Sequence, residues 1–287
     1  AQQTRKLILP DIIPLGNIEE RRLRRVADIY AELDLATPLN EKALKQFIFH
    51  DSAPLKLSGN EQEWLIKHPI IRVGVDRDFA PYEWVDEQGN YIGLAAAYMQ
   101  LLEKKLAVRF EIIYDKPWHE IQAMAEHGEI DLLSCVNSTP QREQFLNFTD
   151  DYVSNPLVIV NANRNGYIGS IEKLSGKTVA VERGYFTHEK LVDHYPKINL
   201  LVVDSTQEAL MKVSTGEAYA YIGDAAFADY AIKKQGLLNL QFAGEMPDIS
   251  AYRVGVIKSN PELYSIINKA LNSISSQQRV EIEKKWM

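Results

Sequence analysis

Ile71-Arg-Val-Gly-Val-Asp-Arg-Asp-Phe-Ala-Pro-Tyr-Glu-Trp84 is the stretch from which the architecture can be inferred. Its first five residues form a strand pattern, and the chain then turns at Ala80-Pro81 and presents several aromatic side chains. Strand and helix patterns alternate from there on: helix 93–106, strand 108–114, helix 118–126 and a short buried strand 131–135. This alternation predicts an α/β fold with mainly parallel sheets.

The same alternation restarts after Pro156-Leu-Val-Ile-Val160. The remaining elements are predicted as strand 178–181, helix 187–194, strand 200–203, helix 207–214, strand 218–222, helix 225–234, strand 252–257 and helices 261–274 and 277–286. Open α/β sheets bind ligands beyond the carboxyl ends of their strands. The residues that follow each strand are therefore the candidates for a functional site.

The first 68 residues differ from the rest, because they predict helices and almost no strand. Asn17 and Asn40 each precede an amphipathic helical pattern, and Ser58-Gly-Asn-Glu61 has the spacing of a capping box. We expect these helices to pack on the remainder of the chain or on a partner, and the sequence leaves both open.

Composition excludes several classes of function. The chain has 287 residues and a net charge of −7, which argues against nucleic-acid binding because that needs a basic surface. Cys135 is the only cysteine, and no histidine motif for a metal occurs, so neither a metal nor another cofactor is expected. No apolar run approaches the roughly 18 residues that a membrane helix needs. Gly176-Lys-Thr178 lacks the rest of a phosphate-binding loop.

Two charged residues stand at strand ends where a ligand could meet them. Asp131-Leu-Leu-Ser-Cys-Val-Asn-Ser-Thr-Pro-Gln-Arg142 is a strand followed by small polar residues and an arginine, whose fork suits a carboxylate. The alternative is a helix cap at Thr139 with Arg142 exposed. Asp224, after an apolar strand, either caps the next helix or accepts a hydrogen bond from a ligand ammonium.

A third candidate segment is Val179-Ala-Val-Glu-Arg-Gly-Tyr-Phe-Thr-His188. In it a strand ends at a glycine, where backbone amides could face an anion.

Taken together, these segments resemble the type II periplasmic solute-binding family that includes the polar amino-acid binding proteins. The resemblance covers about 69–287 and rests on the order of short motifs. These are Ile71–Asp76 with Phe79-Ala-Pro-Tyr-Glu83, Gly93, Gly128-Glu-Ile-Asp131, Thr139-Pro-Gln-Arg142, Asn147-Phe-Thr-Asp-Asp-Tyr152, Leu174-Ser-Gly-Lys-Thr-Val-Ala-Val181, Gly223-Asp224 and Lys285-Trp286.

The resemblance implies a two-lobed venus-flytrap fold with a helical N-terminal extension. The extension would be 1–68, lobe 1 would be 69–160 plus 250–287, and lobe 2 would be 161–249. Arg142 would grip a ligand carboxylate and Asp224 a ligand ammonium. Further contacts would come from side chains beside the ligand (Phe79, Trp118), from hydrogen-bonding side chains (Asn137, Thr139) and from backbone amides (Tyr185, Phe186). The bulky Tyr185-Phe186 pair departs from the small hydroxyl residues usual in the family and could shrink the cleft or close it without ligand.

The resemblance also implies a function. Leu57–Pro69 looks like the lead-in to the venus-flytrap modules of membrane-bound sensor kinases and cyclic-di-GMP enzymes. We therefore expect a periplasmic sensor domain that closes on an amino acid or related carboxylate and is tethered to a membrane helix after Met287 and to an output domain. Whether the chain forms a homodimer is left open by the sequence. The alternatives are a free binding protein of an ABC importer and, less favoured, a cyclohexadienyl-dehydratase-like enzyme in which Glu182 or Glu83 donates a proton.

Overall fold

The computed structural model describes residues 55–286. The helices predicted around Asn17 and Asn40 lie outside this range, as does Met287. Eight helices are seen in the described part: α1 Gly59–Lys67, α2 Leu94–Leu106, α3 Trp118–Glu126, α4 Phe186–His194, α5 Thr206–Thr215, α6 Ala225–Gln235, α7 Pro261–Asn272 and α8 Ser276–Trp286. Twelve strands accompany them: β1 Ile70–Gly74, β2 Asp78–Phe79, β3 Glu83–Val85, β4 Tyr91–Ile92, β5 Arg109–Ile113, β6 Leu132–Val136, β7 Leu146–Phe148, β8 Val153–Ala162, β9 Thr178–Glu182, β10 Asn199–Val203, β11 Ala220–Asp224 and β12 Leu240–Ile257.

Nine of these strands form one continuous sheet, with the path β10-β9-β11-β8-β12-β6-β1-β5 and with β7 paired to β12. Pairing is parallel within β5-β1-β6 and within β10-β9-β11, as the strand–helix alternation predicts. We call the part built on β1, β5, β6, β7 and the end of β12 the first lobe. The second lobe is built on β8 to β11 and the beginning of β12. The α/β fold is thus confirmed, with two lobes.

The two long antiparallel strands β8 and β12 connect the lobes. They pair from Ala162 and Leu240 at one end to Val153 and Tyr252 at the other. Register shifts occur between Phe242 and Gly244 and between Glu245 and Ile249. From Leu157 onward β8 also pairs with β11, so in this strand the second lobe begins there. Strand β12 is longer than the predicted 252–257, because its first part is held by pairing to β8 rather than by a local apolar pattern.

The alternation of side chains along the strands separates the core of the second lobe into two layers. Tyr221 of β11 packs with one buried cluster, whereas its neighbours Ala220 and Ile222 pack with the cluster on the opposite face. The helices α5 and α6 cover the first face, and α4 contributes Leu191 to the second. Successive residues of a strand point to opposite faces, so a strand buried on both sides reads as a continuous apolar run.

Helix α1 is anchored to the first lobe by its predicted capping box. The Ser58 hydroxyl accepts from the Glu61 amide, and the Glu61 carboxylate accepts from the Ser58 amide at 2.7 Å. The same carboxylate accepts from Lys269 and Ser265 of α7, both at 2.7 Å. The residue that completes the cap therefore also docks the helix.

Candidate functional site

The cleft between the lobes is lined by side chains from the ends of strands of both lobes. Seven of the eight candidate residues line one small cavity there: Phe79, Trp118, Asn137, Arg142, Tyr185, Phe186 and Asp224. The cavity leaves about 40 Å³ for water-sized atoms, whereas ligand pockets measure roughly 300–1,000 Å³. The lobes are thus closed, and the protein's own side chains fill the cleft.

Arg142 is buried, not exposed, and its guanidinium bridges the lobes. On its own side it donates to the Asn137 carbonyl at 3.1 Å. Across the cleft it donates to the Gly184 carbonyl at 2.9 Å and to Oε1 of Glu189 at 2.8 and 3.1 Å. Burial lowers its pKa, which the nearby Glu189 carboxylate opposes. The arginine expected to hold a ligand carboxylate is therefore paired with a carboxylate of the protein.

Asp224 caps α6 and also faces the cleft. Its Oδ1 accepts from the amides of Ala226 and Phe227 at 2.9 and 3.2 Å, which is the default expected from its position. The same oxygen accepts from the Tyr82 hydroxyl of the first lobe at 2.6 Å, and Oδ2 accepts from Tyr252 at 3.3 Å. Burial raises the pKa of Asp224, and these hydrogen bonds partly offset it.

Aromatic rings from both lobes pack against one another in the cleft. Phe79 lies at the centre, with ring centroids 4.6 Å from Phe227, 5.1 Å from Tyr82, 5.4 Å from Tyr252 and 5.6 Å from Tyr185. Phe227 and Tyr185 belong to the second lobe, so the contact spans the cleft. Phe79 therefore packs on protein where the resemblance places an aliphatic ligand side chain.

Tyr185 contributes its phenol to the site. The hydroxyl donates to Asp76 of the first lobe. Its backbone amide donates to the Glu182 carbonyl at 3.3 Å and so closes the turn that follows β9. Burial raises the pKa of Asp76 to about 6, and the Tyr185 hydrogen bond works against that shift. Tyr185 thus links the lobes through its side chain, rather than offering the backbone amide that the resemblance implies.

The remaining candidates differ in how closely they approach the cavity. Asn137 is buried and donates to the Ser250 hydroxyl at 3.0 Å, and Trp118 and Phe186 stand half-buried at the first positions of α3 and α4. Thr139 does not line the cavity. Its hydroxyl accepts from the Arg142 amide at 3.3 Å and so positions the arginine, but the cap predicted at Thr139 is wrong, because the short 3-10 helix Arg142–Gln144 has Gln141 at its N-cap.

Sequence reasoning missed three residues that shape the site: Asp76, Tyr82 and Glu189. Asp76 and Tyr82 lie inside the quoted stretch 71–84, whose position after β1 was the available signal. The sequence contains no signal for Glu189, because a glutamate in the first turn of a helix is ordinary. Only the closed arrangement of the lobes brings it to Arg142.

Two further carboxyl groups are fully buried near the cleft. Glu83 accepts from the Asp76 amide at 3.0 Å and from Tyr91 at 2.7 Å, and burial raises its pKa to about 8. Glu182 accepts from Tyr221 at 2.9 Å and from Thr206, and burial raises its pKa to about 7. Both side chains are buried inside the lobes and hydrogen-bonded there, and neither lines the cavity.

Within residues 55–286, no group of three or more His, Cys, Asp and Glu side chains is placed to hold a metal ion. Cys135 is a buried free thiol in the cavity wall, and burial raises its pKa. None of the described helices is both long and apolar enough to cross a membrane.

Two α/β lobes, two connecting strands and a polar, aromatic cleft between them define a two-lobed solute-binding module. The chain belongs to the bacterial extracellular solute-binding proteins, family 3, whose model matches residues 71–287. The chain is therefore extracytoplasmic.

Known relatives fall into two groups. The virulence sensor protein BvgS of Bordetella bronchiseptica is 29% identical over 277 residues, which are 93% of this chain and 22% of BvgS. The crystal structure of the Bordetella pertussis BvgS periplasmic VFT2 domain superposes with a TM-score of 0.73 at 30% identity, covering 81% of this chain and 99% of that domain. A putative ABC transporter arginine-binding protein of Escherichia coli is 25% identical over 222 residues, 75% of this chain and 90% of that protein. The chain thus spans about a fifth of the length of the sensor relative.

Proposed function

We propose that the chain is the sensor domain of a membrane-bound signalling protein and that its lobes close on a small amino-acid-like solute. The observation that carries the proposal is the pair Arg142 and Asp224, which line one buried cavity from opposite lobes. An α-amino acid has one charge of each sign, and both charges need partners once they leave water. A site with both partners on different lobes favours closure when such a ligand binds.

The extent of similarity favours a sensor over a free transport protein. The match to BvgS covers 93% of this chain and so reaches well into residues 1–68, whereas the match to the arginine-binding protein covers 75%. The segment before Pro69 therefore has a counterpart in the sensor relative. By the same reasoning we propose a binding module, not an enzyme, coupled to an output domain beyond a membrane helix.

Residue roles in this proposal follow from the geometry described above. Arg142 and Asp224 would bind the ligand charges, and Asn137 and Thr139 would hold Arg142 in place. The aromatic residues Phe79, Trp118, Tyr185 and Phe186 would surround the ligand side chain. The lobe limits remain a proposal, with 69–160 and 250–287 for lobe 1 and 161–249 for lobe 2, although the pairing of β8 with β11 from Leu157 favours an earlier crossing, at 153–157, in that strand.

A thermal-shift screen of the 287-residue chain against amino acids and small carboxylates tests the proposal. A ligand at 100 times its dissociation constant should stabilise the fold by roughly 2.7 kcal/mol. Arg142→Ala and Asp224→Ala should each remove the shift, whereas Arg109→Ala, on the exposed outer strand, should leave it. A ligand whose shift survives both substitutions would disprove the proposed site.

The coupling is tested separately in the full-length protein. Adding the identified ligand should change the activity of the output domain, and a ligand that alters only uptake would identify an importer component instead. A homodimer stays a prediction, which light scattering of the purified chain with and without ligand can check.

A further inference from the structure

We propose that Glu189 is an internal competitor for the ligand carboxylate at Arg142, and so a residue that determines which ligands the cleft accepts. The proposal rests on the proposed function in one respect only, that the cleft is the ligand site. It concerns what a ligand must displace there.

In the closed state, the N–H groups of Arg142 already donate hydrogen bonds to protein acceptors. Its Nε and one Nη donate to Oε1 of Glu189, and the same Nη donates to the Gly184 carbonyl. The other Nη donates to the Asn137 carbonyl. A bidentate carboxylate needs two parallel N–H groups from one edge of the guanidinium. Both usable edges therefore carry protein acceptors, and a ligand carboxylate cannot bind beside Glu189.

Only one of the two carboxylate oxygens of Glu189 accepts hydrogen bonds in this contact. Oε1 receives both hydrogen bonds, whereas Oε2 is buried and has no hydrogen-bond partner among the described residues. A buried charged oxygen without a partner loses its hydrogen bonds to water and gains no hydrogen bond in the protein, which costs free energy. A ligand carboxylate that used both oxygens on the same arginine would be better matched, so Glu189 is an acceptor that a suitable ligand can replace.

The closed cleft makes this exchange obligatory. About 40 Å³ is free beside Arg142, less than an amino acid needs, so a ligand enters only after the lobes part. Parting the lobes breaks the contacts of Arg142 with Glu189 and Gly184, because both acceptors belong to the second lobe. On closing again, Arg142 takes either Glu189 or the ligand.

Chemical rescue tests the proposal without knowledge of the natural ligand. Glu189→Ala removes a CH₂–COO⁻ group, and acetate has the same carboxylate and nearly the same size. Sodium acetate should therefore raise the melting temperature of Glu189→Ala by roughly 3–6 °C at ten times its dissociation constant. Sodium chloride at equal ionic strength and neutral acetamide should not.

Matched variants separate competition from general charge effects. Asp193→Ala removes a carboxylate from the same helix that also reaches across the cleft, to Gln141 at 3.1 Å, but not to Arg142. It should not respond to acetate, nor should the wild type or the double variant Arg142→Ala/Glu189→Ala. An equal response in the wild type, or none in folded Glu189→Ala, would overturn the proposal.

If Glu189→Ala does not fold, Glu189→Gln serves the same purpose because it keeps the volume and one acceptor oxygen but loses the charge. Acetate should then stabilise this variant more than the wild type, and an equal effect would overturn the proposal. For a carboxylate ligand found in the screen, Glu189→Gln should tighten binding by about tenfold. A ligand that binds wild type and Glu189→Gln equally would contradict competition while leaving the sensor function intact. Acetate rescue without any amino-acid ligand would leave competition intact and contradict the ligand class.

Discussion

At the scale of single residues, the carboxyl group of Glu83 has the most unusual environment. It belongs to the stretch 71–84 and is fully buried, and burial raises its pKa from the ordinary value of 4.5 to about 8. The folded protein therefore keeps a proton on Glu83 at neutral pH that the unfolded chain would release. Stability must then fall as the pH rises from about 4.5 to about 8, by at most about 1.4 kcal/mol per pH unit for this group.

Glu83→Gln should flatten that dependence, because the amide has the shape of the protonated acid and does not titrate. We expect the wild type to melt at a lower temperature at pH 8 than at pH 5, and Glu83→Gln to lose less over the same interval. Glu87→Gln, exposed in the same hairpin, is the control. Asp76 and Glu182 act in the same direction, so some slope should remain in Glu83→Gln. Identical slopes in all three proteins would contradict this assignment.

At the scale of secondary structure, the docking of α1 depends on one side chain. Burial opposes ionisation of Glu61, but hydrogen bonds from Lys269, Ser58 and Ser265 outweigh it and lower its pKa to about 2. The ionised form is therefore stabilising above about pH 4.5, and this stabilisation is lost as the pH falls from 4.5 towards 2.

Glu61→Ala should cost about 2 kcal/mol at neutral pH, because it removes the cap and leaves Lys269 without its partner. The matched control is Glu63→Ala on the same helix. Glu63 forms only an exposed pair with Lys67, worth at most about 0.5 kcal/mol. Denaturant unfolding of the three proteins gives the comparison, and equal costs for the two substitutions would show that α1 is not docked through Glu61.

Elements with local signals were predictable from the sequence, and those that depend on distant pairing were not. Helix α3 was predicted at its observed limits because proline precedes it and its apolar period is clear. The capping box of α1 is likewise a local pattern. Strand β12 was expected only over 252–257, yet it begins at Leu240, because Gly244 and Pro247 interrupt the strand pattern and β8 supplies the missing pairing. The small sheet β2-β3-β4 was missed for its short strands.

The same division holds inside the cleft. The chemistry of Arg142 and Asp224 could be inferred from their positions after strands, and seven of the eight candidates do line one cavity. Their present partners could not be inferred, because Glu189 and Tyr82 meet them only across the closed cleft. Long-range contacts between lobes leave no periodic signal in a single sequence.

At the scale of the whole molecule, the closed arrangement requires the backbone of Gly184 to approach the first lobe. Its carbonyl accepts from Arg142 and from Gln122, at 2.9 and 3.0 Å. Its φ is +71°, and a Cβ atom built there would lie 3.0 Å from Cβ of His119 on the opposite lobe. A side chain at this position would crowd His119 across the cleft by a few tenths of an ångström and so disfavour the closed form.

Gly184→Ala should therefore shift the molecule towards the open form, seen as a larger radius of gyration in small-angle X-ray scattering. Gly236→Ala is the matched control, since Gly236 has a φ of +66° and no atom within 4 Å of the added methyl group. Both variants should lose about 1 kcal/mol to backbone strain, but only Gly184→Ala should change the scattering curve. Equal scattering from both variants would show that this contact does not limit closure.

The single thiol in the cleft wall offers a way to measure how often the cleft opens. Cys135 is 3% exposed in the cavity wall and burial raises its pKa, so we expect a maleimide to react with it slowly while the lobes are closed and faster when they separate. The labelling rate of the unmodified chain then reports how often the cleft opens, with no probe introduced. A ligand that keeps the cleft closed should therefore lower the labelling rate of Cys135.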